Sequence, residues 1–349
     1  MTKAISAIAG RRRPRHVLSK AAVALAALLL AAPAAAQETQ IRGFTDVVAA
    51  AGQRDSTTGF RLGQFDLFIT SKLADHISFL GETVFEYDDD FVVDVERVIV
   101  AFTPKPYFKI AMGKHHTPIG YWNNAYHHGA MLQPTIHRPE MFRFEDEGGV
   151  LPIHTVGLLV SGRDISAAHL GYDLMVGNGS GSTTKGDNDR AKSYTAAVHA
   201  QVTTDFLVGA SVYSDDIAPG TARPGGGQLT QPVRQEMGGA HIVYDGAHGE
   251  LRAEWQHIRV HTPGTTPNDA DAGYAYAGVR LGNLVPYGRY DVIDLRDGNP
   301  WLAVPSMHGG LLGLRYDVAT SVVVKGEYGV RRAGGATART LELQVAIGF

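Results

Sequence analysis

The sequence lacks cysteine, lacks an excess of basic residues, and has no long apolar run beyond its first 36 residues. Without cysteine there is no disulfide framework. Of the 32 Lys and Arg residues, six lie in residues 1–36, so 26 remain against all 35 Asp and Glu residues, a net charge of −9. A net negative charge of this size does not favour binding to nucleic acid. No later stretch approaches the roughly 18 apolar residues of a transmembrane helix.

The first 36 residues have the pattern of a secretory signal. Arginines at 11–13 and 15, with Lys20, form a basic region, an apolar run covers 21–32, and Ala34, Ala35 and Ala36 supply a small-residue cleavage site. We therefore expect residues 1–36 to be a signal peptide cleaved near Ala36 and residues 37–349 to be the mature domain. Two classes remain for such an exported chain, a soluble periplasmic protein or a transmembrane β-barrel.

The last ten residues, TLELQVAIGF, favour the barrel. Five apolar residues, Leu341, Leu343, Val345, Ile347 and Phe349, alternate with polar or small ones. Alternate side chains of a strand point to opposite faces, so one face is apolar and the other suits a wet lumen. The edge strand of a soluble sandwich is the alternative interpretation of this segment alone.

The same period of two recurs along the chain and predicts about sixteen strands, with fourteen as the alternative count. The predicted strands cover residues 40–50, 59–71, 76–87, 91–103, 106–115, 150–162, 165–177, 191–203, 205–214, 234–244, 247–260, 271–283, 284–295, 307–317, 320–331 and 338–349. Short turns alternate with longer loops, which is typical of a transmembrane antiparallel barrel. The strand at 91–103 fits worst, because Arg97 falls on its apolar face.

Residues 115–149 carry no strand or helix period, and they contain three prolines and five histidines. Structureless segments of this length inside a compact domain are usually functional. We interpret this one as a long third extracellular loop that folds into the lumen and narrows it. The constriction residues predicted from it are His115, His116, His127, His128, His137, Arg138, Glu140, Arg143, Glu145, Asp146 and Glu147.

Strand parity also predicts which charged side chains line the lumen. The expected pore wall consists of Lys109, Arg252, Arg280, Arg289, Arg315, Lys325 and Glu327. Charges in a pore wall select ions. The hypothesis is that the acidic end of the loop faces basic wall residues across the lumen; the alternative is that these charges pair locally in a wet interior.

The histidines of this region permit two interpretations. Imidazole is a common metal ligand and titrates near neutral pH, so the loop could bind a metal or loosen in acid. No pair has the spacing that a helix would need, and adjacent histidines on an extended chain point apart. We therefore expect no metal site and no cofactor, and interpret the imidazoles as groups that pin the loop to the wall. A pore conductance that does not change between about pH 7.5 and 5 would count against acid loosening.

One segment resembles a known family. Gly113-Lys-His-His-Thr-Pro118-Ile119-Gly120 is similar to the Gly-x-x-x-x-Pro-Phe/Leu-Gly segment of the phosphate-selective (O/P-type) superfamily of bacterial outer-membrane porins, where it ends a strand and opens the inward loop. The resemblance implies a homotrimer of water-filled channels, and a terminal Phe349 that the barrel-assembly machinery reads. Phosphate selectivity is not carried over, because the family's arginine and lysine ladder is replaced here by histidines and acids.

The sequence thus predicts a bacterial outer-membrane porin in contact with outer-membrane lipid, a passive channel for small polar or ionic solutes with no enzymatic activity. Two alternatives remain open. One is a plugged, non-conducting barrel with a scaffold or adhesion role. The other is an outer-membrane hydrolase, although no serine lies in a G-x-S-x-G context.

Overall fold

The computed structural model describes residues 38–52, 59–87, 91–126, 129–145, 147–183 and 186–349. Residues Thr39–Phe349 form one compact unit. The predicted signal segment and its cleavage site lie outside the described residues, as do His127, His128 and Asp146. Within the described residues, none of the helices has the length and apolar character that a membrane crossing requires.

Sixteen antiparallel strands form a closed barrel, which confirms the predicted fold class and strand count. The strands are β1 (Thr39–Gly52), β2 (Gly59–Ala74), β3 (Ile77–Tyr87), β4 (Phe91–Lys105), β5 (Phe108–His116), β6 (His154–Ile165), β7 (Leu170–Gly177), β8 (Ser193–Thr203), β9 (Phe206–Ile217), β10 (Val233–Gly246), β11 (Gly249–His261), β12 (Asn268–Val279), β13 (Leu284–Leu295), β14 (Met307–Ala319), β15 (Val322–Ala333) and β16 (Ala336–Gly348).

The barrel closes between its first and last strands. β1 pairs with β16 from Phe44 opposite Gly348 to Gly52 opposite Thr340, and Gly43 and Phe349 exchange backbone hydrogen bonds. Closure leaves no unpaired strand edge, which is the condition for a sheet to stand in lipid. β1 begins and β16 ends on the same side of the barrel, and all seven connections on that side are turns of two to four residues.

The two faces of the sheet differ as the alternation predicts. Outward side chains are apolar and exposed, among them Met112 at 67% and Leu312 at 72%. Inward side chains include many buried charged groups, such as Arg252 at 3% and Lys325 at 0%. The outer surface of the barrel is therefore apolar, and the charged side chains are concentrated inside the barrel.

The predicted boundary between the long loop and the sixth strand was wrong. Residues 150–153 have an apolar pattern that reads as the start of a strand, yet β6 begins at His154. Val150, Leu151 and Ile153 are instead buried in an apolar cluster with the loop, at 2% exposure or less. They pack the loop and do not extend the sheet.

The placement of Arg97 by simple parity was also wrong. A β-bulge at Glu96 shifts the register, so that Thr83 faces Val95 while Glu82 faces Arg97. The extra residue moves Arg97 to the inner face, and the apolar alternation resumes at Val98. Arg97 then pairs with Glu82 inside the barrel and lies over the Phe68 ring, 5.2 Å from its centroid.

Candidate functional site

The long loop connects β5 to β6, and its two ends are tied together. Thr117 N–H donates to Ile153 O at 2.9 Å, and the Thr117 and Thr155 hydroxyls are 2.7 Å apart. Asn123 Nδ2 donates to both Thr117 O and Ile153 O at 3.0 Å. The loop therefore leaves and rejoins the sheet at one point, and its body is free to lie along the inner wall.

The backbone conformation and the close neighbours at Gly113 and Gly120 explain why both positions are glycine. Gly113 has φ +150°, and a Cβ there would lie 1.8 Å from Val98 O on the neighbouring strand. Gly120 has φ +68°, and a Cβ there would lie 2.3 Å from Glu254 Oε2. A side chain at either position would be strained and would clash. The segment thus directs the chain away from β5 and toward the wall at β11.

Glu254 on β11 holds the first turn of the loop. Its carboxylate accepts the backbone N–H of Tyr121 at 2.5 Å and of Trp122 at 2.8 Å, and the Tyr274 hydroxyl at 2.6 Å. These N–H groups begin a one-turn helix, α1 (Trp122–Ala125), which the sequence pattern did not predict. Negative charge at the first N–H groups of a helical turn is favourable.

The side chain of Trp122, the first residue of α1, is fully buried. Its ring packs edge-on against Tyr126 and Tyr274, with centroid distances of 5.0 and 5.6 Å. Burying an indole here adds apolar contact to the hydrogen bonds at Glu254. The start of the loop is consequently fixed on the wall by both kinds of interaction.

Basic wall residues hold the middle of the loop by its carbonyl groups. Lys325 Nζ donates to Ala130 O and Thr135 O. Arg289 donates to the Thr135 hydroxyl at 2.6 Å, His137 O at 2.5 Å and Arg138 O at 3.2 Å. Because both side chains are buried, these charge-assisted bonds are strong ones.

Acidic wall residues hold the same stretch by its N–H groups and its histidine. Glu327 accepts from Ile136 N at 2.7 Å, and Asp291 accepts from Glu140 N at 3.0 Å. Glu342 lies 2.9 Å from His137 Nε2 and 2.8 Å from Arg61 on β2. The inner wall from β11 to β16 therefore presents acids to loop N–H groups and bases to loop carbonyls.

The acids at the end of the loop pair with nearby bases. Glu140 lies 3.3 Å from Arg331 on β15 and 3.7 Å from Arg143, and Glu147 also lies 3.7 Å from Arg143. The Arg138 guanidinium lies 3.7 Å from the Phe144 ring centroid. This end of the loop therefore presents alternating charges on the long-loop side of the barrel.

Solved structures share this architecture. The in-vitro folded OmpT of Vibrio cholerae in its trimer form is 14% identical, covers 90% of this chain and 99% of its own, and has a TM-score of 0.62. The anion-selective porin of Comamonas acidovorans is 10% identical over 90% and 100%, with a TM-score of 0.63. OmpF of Salmonella typhi, solved with daunomycin, is 14% identical over 90% and 97%, with a TM-score of 0.59.

The chain has the fold of bacterial outer-membrane porins. No protein-family model matches the sequence, and no curated protein matches it. At 10–14% identity the likeness concerns the porin fold alone, and the resemblance to the phosphate-selective superfamily stays a prediction. What the inner wall of this porin fold does has to be argued from its own residues.

Three of the predicted wall arginines cluster at the short-turn end of the barrel. Arg315 lies 2.9 Å from Glu250 and 3.1 Å from Asp317. Arg280, in the turn after β12, lies 2.9 Å from Glu250, and Arg252 donates to the Tyr126 hydroxyl at 2.9 Å. Glu250, together with Asp245 and Asp317, thus pairs with a cluster that the sequence had placed along the open wall. The remaining basic wall residue, Lys109, is half-buried on β5 opposite Ser161.

The described histidines at the loop ends lie at the wall. His115 and His116 close β5, and His154 begins β6 opposite His116, with Nε2 2.7 Å from Glu96. Phe144 stacks on the His154 ring at 5.9 Å. Among the described residues, no three His, Asp or Glu side chains are grouped so as to hold a metal ion.

A cavity of about 1260 Å³ opens above the loop on the long-loop side. Glu140, Arg143, Glu145, Glu147 and Arg331 line it. Two further loops meet at its rim, where Ala303 N–H donates to Pro224 O at 2.9 Å and Arg223 donates to Trp301 O at 3.1 Å. The charged end of the loop thus lines a cavity on the long-loop side of the barrel.

Sequence reasoning did not select the anchors Glu254, Asp291 and Glu342 as site residues. Parity placed all three on the inner face, but it could not show that they meet the loop. The available signal was the inner-face position of each carboxylate on its strand, since a buried charge needs a partner.

Glu145 supports a prediction about pH. Its carboxylate accepts Ile153 N–H at 2.6 Å and His154 N–H at 3.1 Å. Burial alone would raise the pKa of Glu145, but the bonds from His154 and the backbone hold this pKa below the ordinary value of 4.5. A depressed pKa contributes stability that is present above the ordinary value and is lost as the pH falls through the folded value.

We therefore expect the amide of Ile153 to stay protected from exchange, relative to its intrinsic rate, between about pH 7 and 5, and to lose protection only as the pH falls below the ordinary pKa of 4.5. Hydrogen exchange followed by NMR or mass spectrometry checks this. In the Glu145→Gln variant, protection should be lower at neutral pH and should not change across this window. Wild-type protection that already falls between pH 7 and 5 would contradict the assignment to Glu145.

Proposed function

We propose that this protein is a passive diffusion channel of a bacterial outer membrane, through which small polar or charged solutes move down their gradients. It would act after removal of residues 1–36, as a homotrimer embedded in outer-membrane lipid and inserted by the assembly machinery that reads Phe349. It would catalyse no reaction and need no cofactor.

One observation carries the proposal. The loop between β5 and β6 is bonded to the inner wall of β11, β13, β15 and β16, through Glu254, Asp291, Arg289, Lys325 and Glu342. A barrel of about sixteen strands encloses an aqueous lumen too wide for its own side chains to fill. A loop fixed to one side of such a lumen narrows it, so that solute size and charge decide passage.

The charge arrangement supports polar solutes. The cavity on the long-loop side is lined by Glu140, Glu145 and Glu147 together with Arg143 and Arg331. Closely spaced opposite charges favour hydrated solutes over apolar ones. The trimer is supported by the porin fold and by the trimer form in which OmpT of Vibrio cholerae was solved.

A liposome swelling assay tests the proposal. The refolded protein, checked by its strand signal in circular dichroism and by heat-modifiable migration, is reconstituted and exposed to uncharged sugars of increasing size. Rates that fall steeply with solute size and rise linearly with concentration are expected for a passive pore. Impermeability of a correctly folded barrel would overturn the proposal and favour a plugged barrel.

A further inference from the structure

The cavity on the long-loop side is lined by uncharged polar side chains as well as by charged ones. The uncharged polar residues are Ser180, Ser182, Thr183, Asn188, Thr221 and Gln235. The Ser180 N–H donates to Asp215 Oδ2 on β9 at 2.8 Å, and Asn188 Nδ2 donates to the Thr221 hydroxyl at 3.2 Å. The loop after β7 is therefore bonded to the wall and to the loop after β9, and it presents hydroxyl and amide groups at fixed positions.

The charged groups of the lining are already paired. Each base described in the lining has an acid or a carbonyl group as its partner, and these bases are Lys114, Arg143, His154, Arg223 and Arg331. A charged solute would have to replace one of these partners, at a cost in desolvation. An uncharged solute can add hydrogen bonds to the same groups and leave the pairs intact, because a guanidinium has five donors. The lining therefore favours an uncharged polar solute.

A buried glutamine lies on the wall of the same cavity. Gln235, on β10, faces inward opposite Asp215 and is only 1% exposed. Among the residues that the structure describes, its side-chain Nε2 has no hydrogen-bond acceptor. A buried amide N–H without an acceptor is costly. The oxygen of a solute hydroxyl in the cavity would accept this N–H and remove the cost.

Apolar side chains complete the lining, among them Ile293, Trp301 and Met307. A sugar ring has apolar C–H groups on its faces and hydroxyl groups around its edge, so a wall with both kinds of group suits it. The cavity volume of about 1260 Å³ exceeds the roughly 300–1,000 Å³ of typical small-molecule sites, so several linked rings fit. We propose that this cavity binds neutral oligosaccharides in transit and that Gln235 donates to a sugar oxygen.

This inference rests on the proposed channel function and adds its substrate class. A monosaccharide can contact only part of so large a cavity, so the linear rates expected of small sugars are unaffected. A trisaccharide can contact the hydroxyl, amide and apolar groups at the same time. It should therefore be held long enough to interrupt the ion current.

Block of the ion current in a planar bilayer tests the inference. Raffinose, a neutral trisaccharide, is added to the wild type, to Gln235→Leu and to the control Gln256→Leu. Gln256 is an equally buried, inward glutamine of β11 that does not line this cavity. We expect saturable block of the wild type, with a half-blocking concentration at least about threefold higher in Gln235→Leu and unchanged in Gln256→Leu. Polyethylene glycol of equal hydrodynamic size, which lacks the hydroxyl donors of a sugar, should lower the current only as it lowers the bulk conductivity.

The outcomes separate this inference from the function on which it rests. No conductance from a folded wild-type barrel overturns the channel. Calorimetric titration of that folded protein with raffinose, in a detergent without a sugar headgroup, then decides the site: saturable heat supports it, and no heat overturns it. A conducting wild type in which raffinose and polyethylene glycol lower the current equally overturns the saccharide site, and this result needs no variant to fold. Block that is unchanged in a conducting Gln235→Leu variant overturns the role of Gln235.

Discussion

Replacing Glu254 with Ala should release the start of the loop and raise the single-channel conductance by about half or more. The substitution removes the acceptor for two backbone N–H groups, at 2.5 and 2.8 Å, and for the Tyr274 hydroxyl. Each of these three donors, left unsatisfied in a buried site, costs about 1–3 kcal/mol. We therefore expect the free energy of unfolding to fall by at least about 3 kcal/mol and the loop to fluctuate in the lumen.

Conductance steps and current noise in a planar bilayer measure this release, and urea titration measures the stability. Glu236→Ala is the control, because Glu236 is an acid on the outward face of β10 that makes no bond to the loop in the described structure. It should leave the conductance unchanged. If Glu254→Ala conducts like the wild type with equal noise, Glu254 does not hold the loop.

Replacing Arg289 with Met should destabilise the protein by about 3–5 kcal/mol, the cost of leaving one partner of a buried ion pair alone. Arg289 is 5% exposed and lies 2.8 Å from Asp291, while it also donates to His137 O and Arg138 O. Methionine removes those donors and leaves the Asp291 carboxylate with the Glu140 N–H as its remaining bond. Denaturant titration in detergent checks the stability.

The double variant Arg289→Met with Asp291→Asn separates the two causes of destabilisation, which are the unpaired charge of Asp291 and the lost hydrogen bonds to the loop. Its uncharged amide can still accept the Glu140 N–H, so the cost of an unpaired charge disappears while the lost loop bonds remain. We expect it to recover at least about half of the loss. A single variant as stable as the wild type, or a double variant no better than the single one, would show that the ion pair contributes little.

The strands could be predicted because lipid imposes a strict rule on them. Outward side chains along the middle of each strand must be apolar, so runs such as Leu341, Leu343 and Val345 show the period of two directly. The facing of Arg97 could not be predicted from this rule. One inserted residue at a bulge inverts the parity and leaves no other trace in the sequence. Residues 150–153 were wrongly predicted as a strand, because an apolar segment packed inside a loop has the composition of a strand.

The site was predictable in its parts but not in its contacts. The loop was visible from its prolines and broken period, and parity placed Arg289, Lys325 and Glu327 on the inner wall. Which wall groups meet which loop groups depends on strand register and on the path of the loop, and pairs such as Ile136 with Glu327 are 191 residues apart. The hypothesis of charges opposed across the lumen therefore stays a prediction, although the structure places Arg289 and Lys325 directly on the loop.

Single-channel recording of the refolded wild type in a planar bilayer tests the central claim most directly. A passive channel narrowed by a loop fixed to its wall should give discrete, ohmic steps in multiples of three, and Glu254→Ala should give larger and noisier ones. A folded, heat-modifiable barrel that inserts into the bilayer and passes no current would contradict the account.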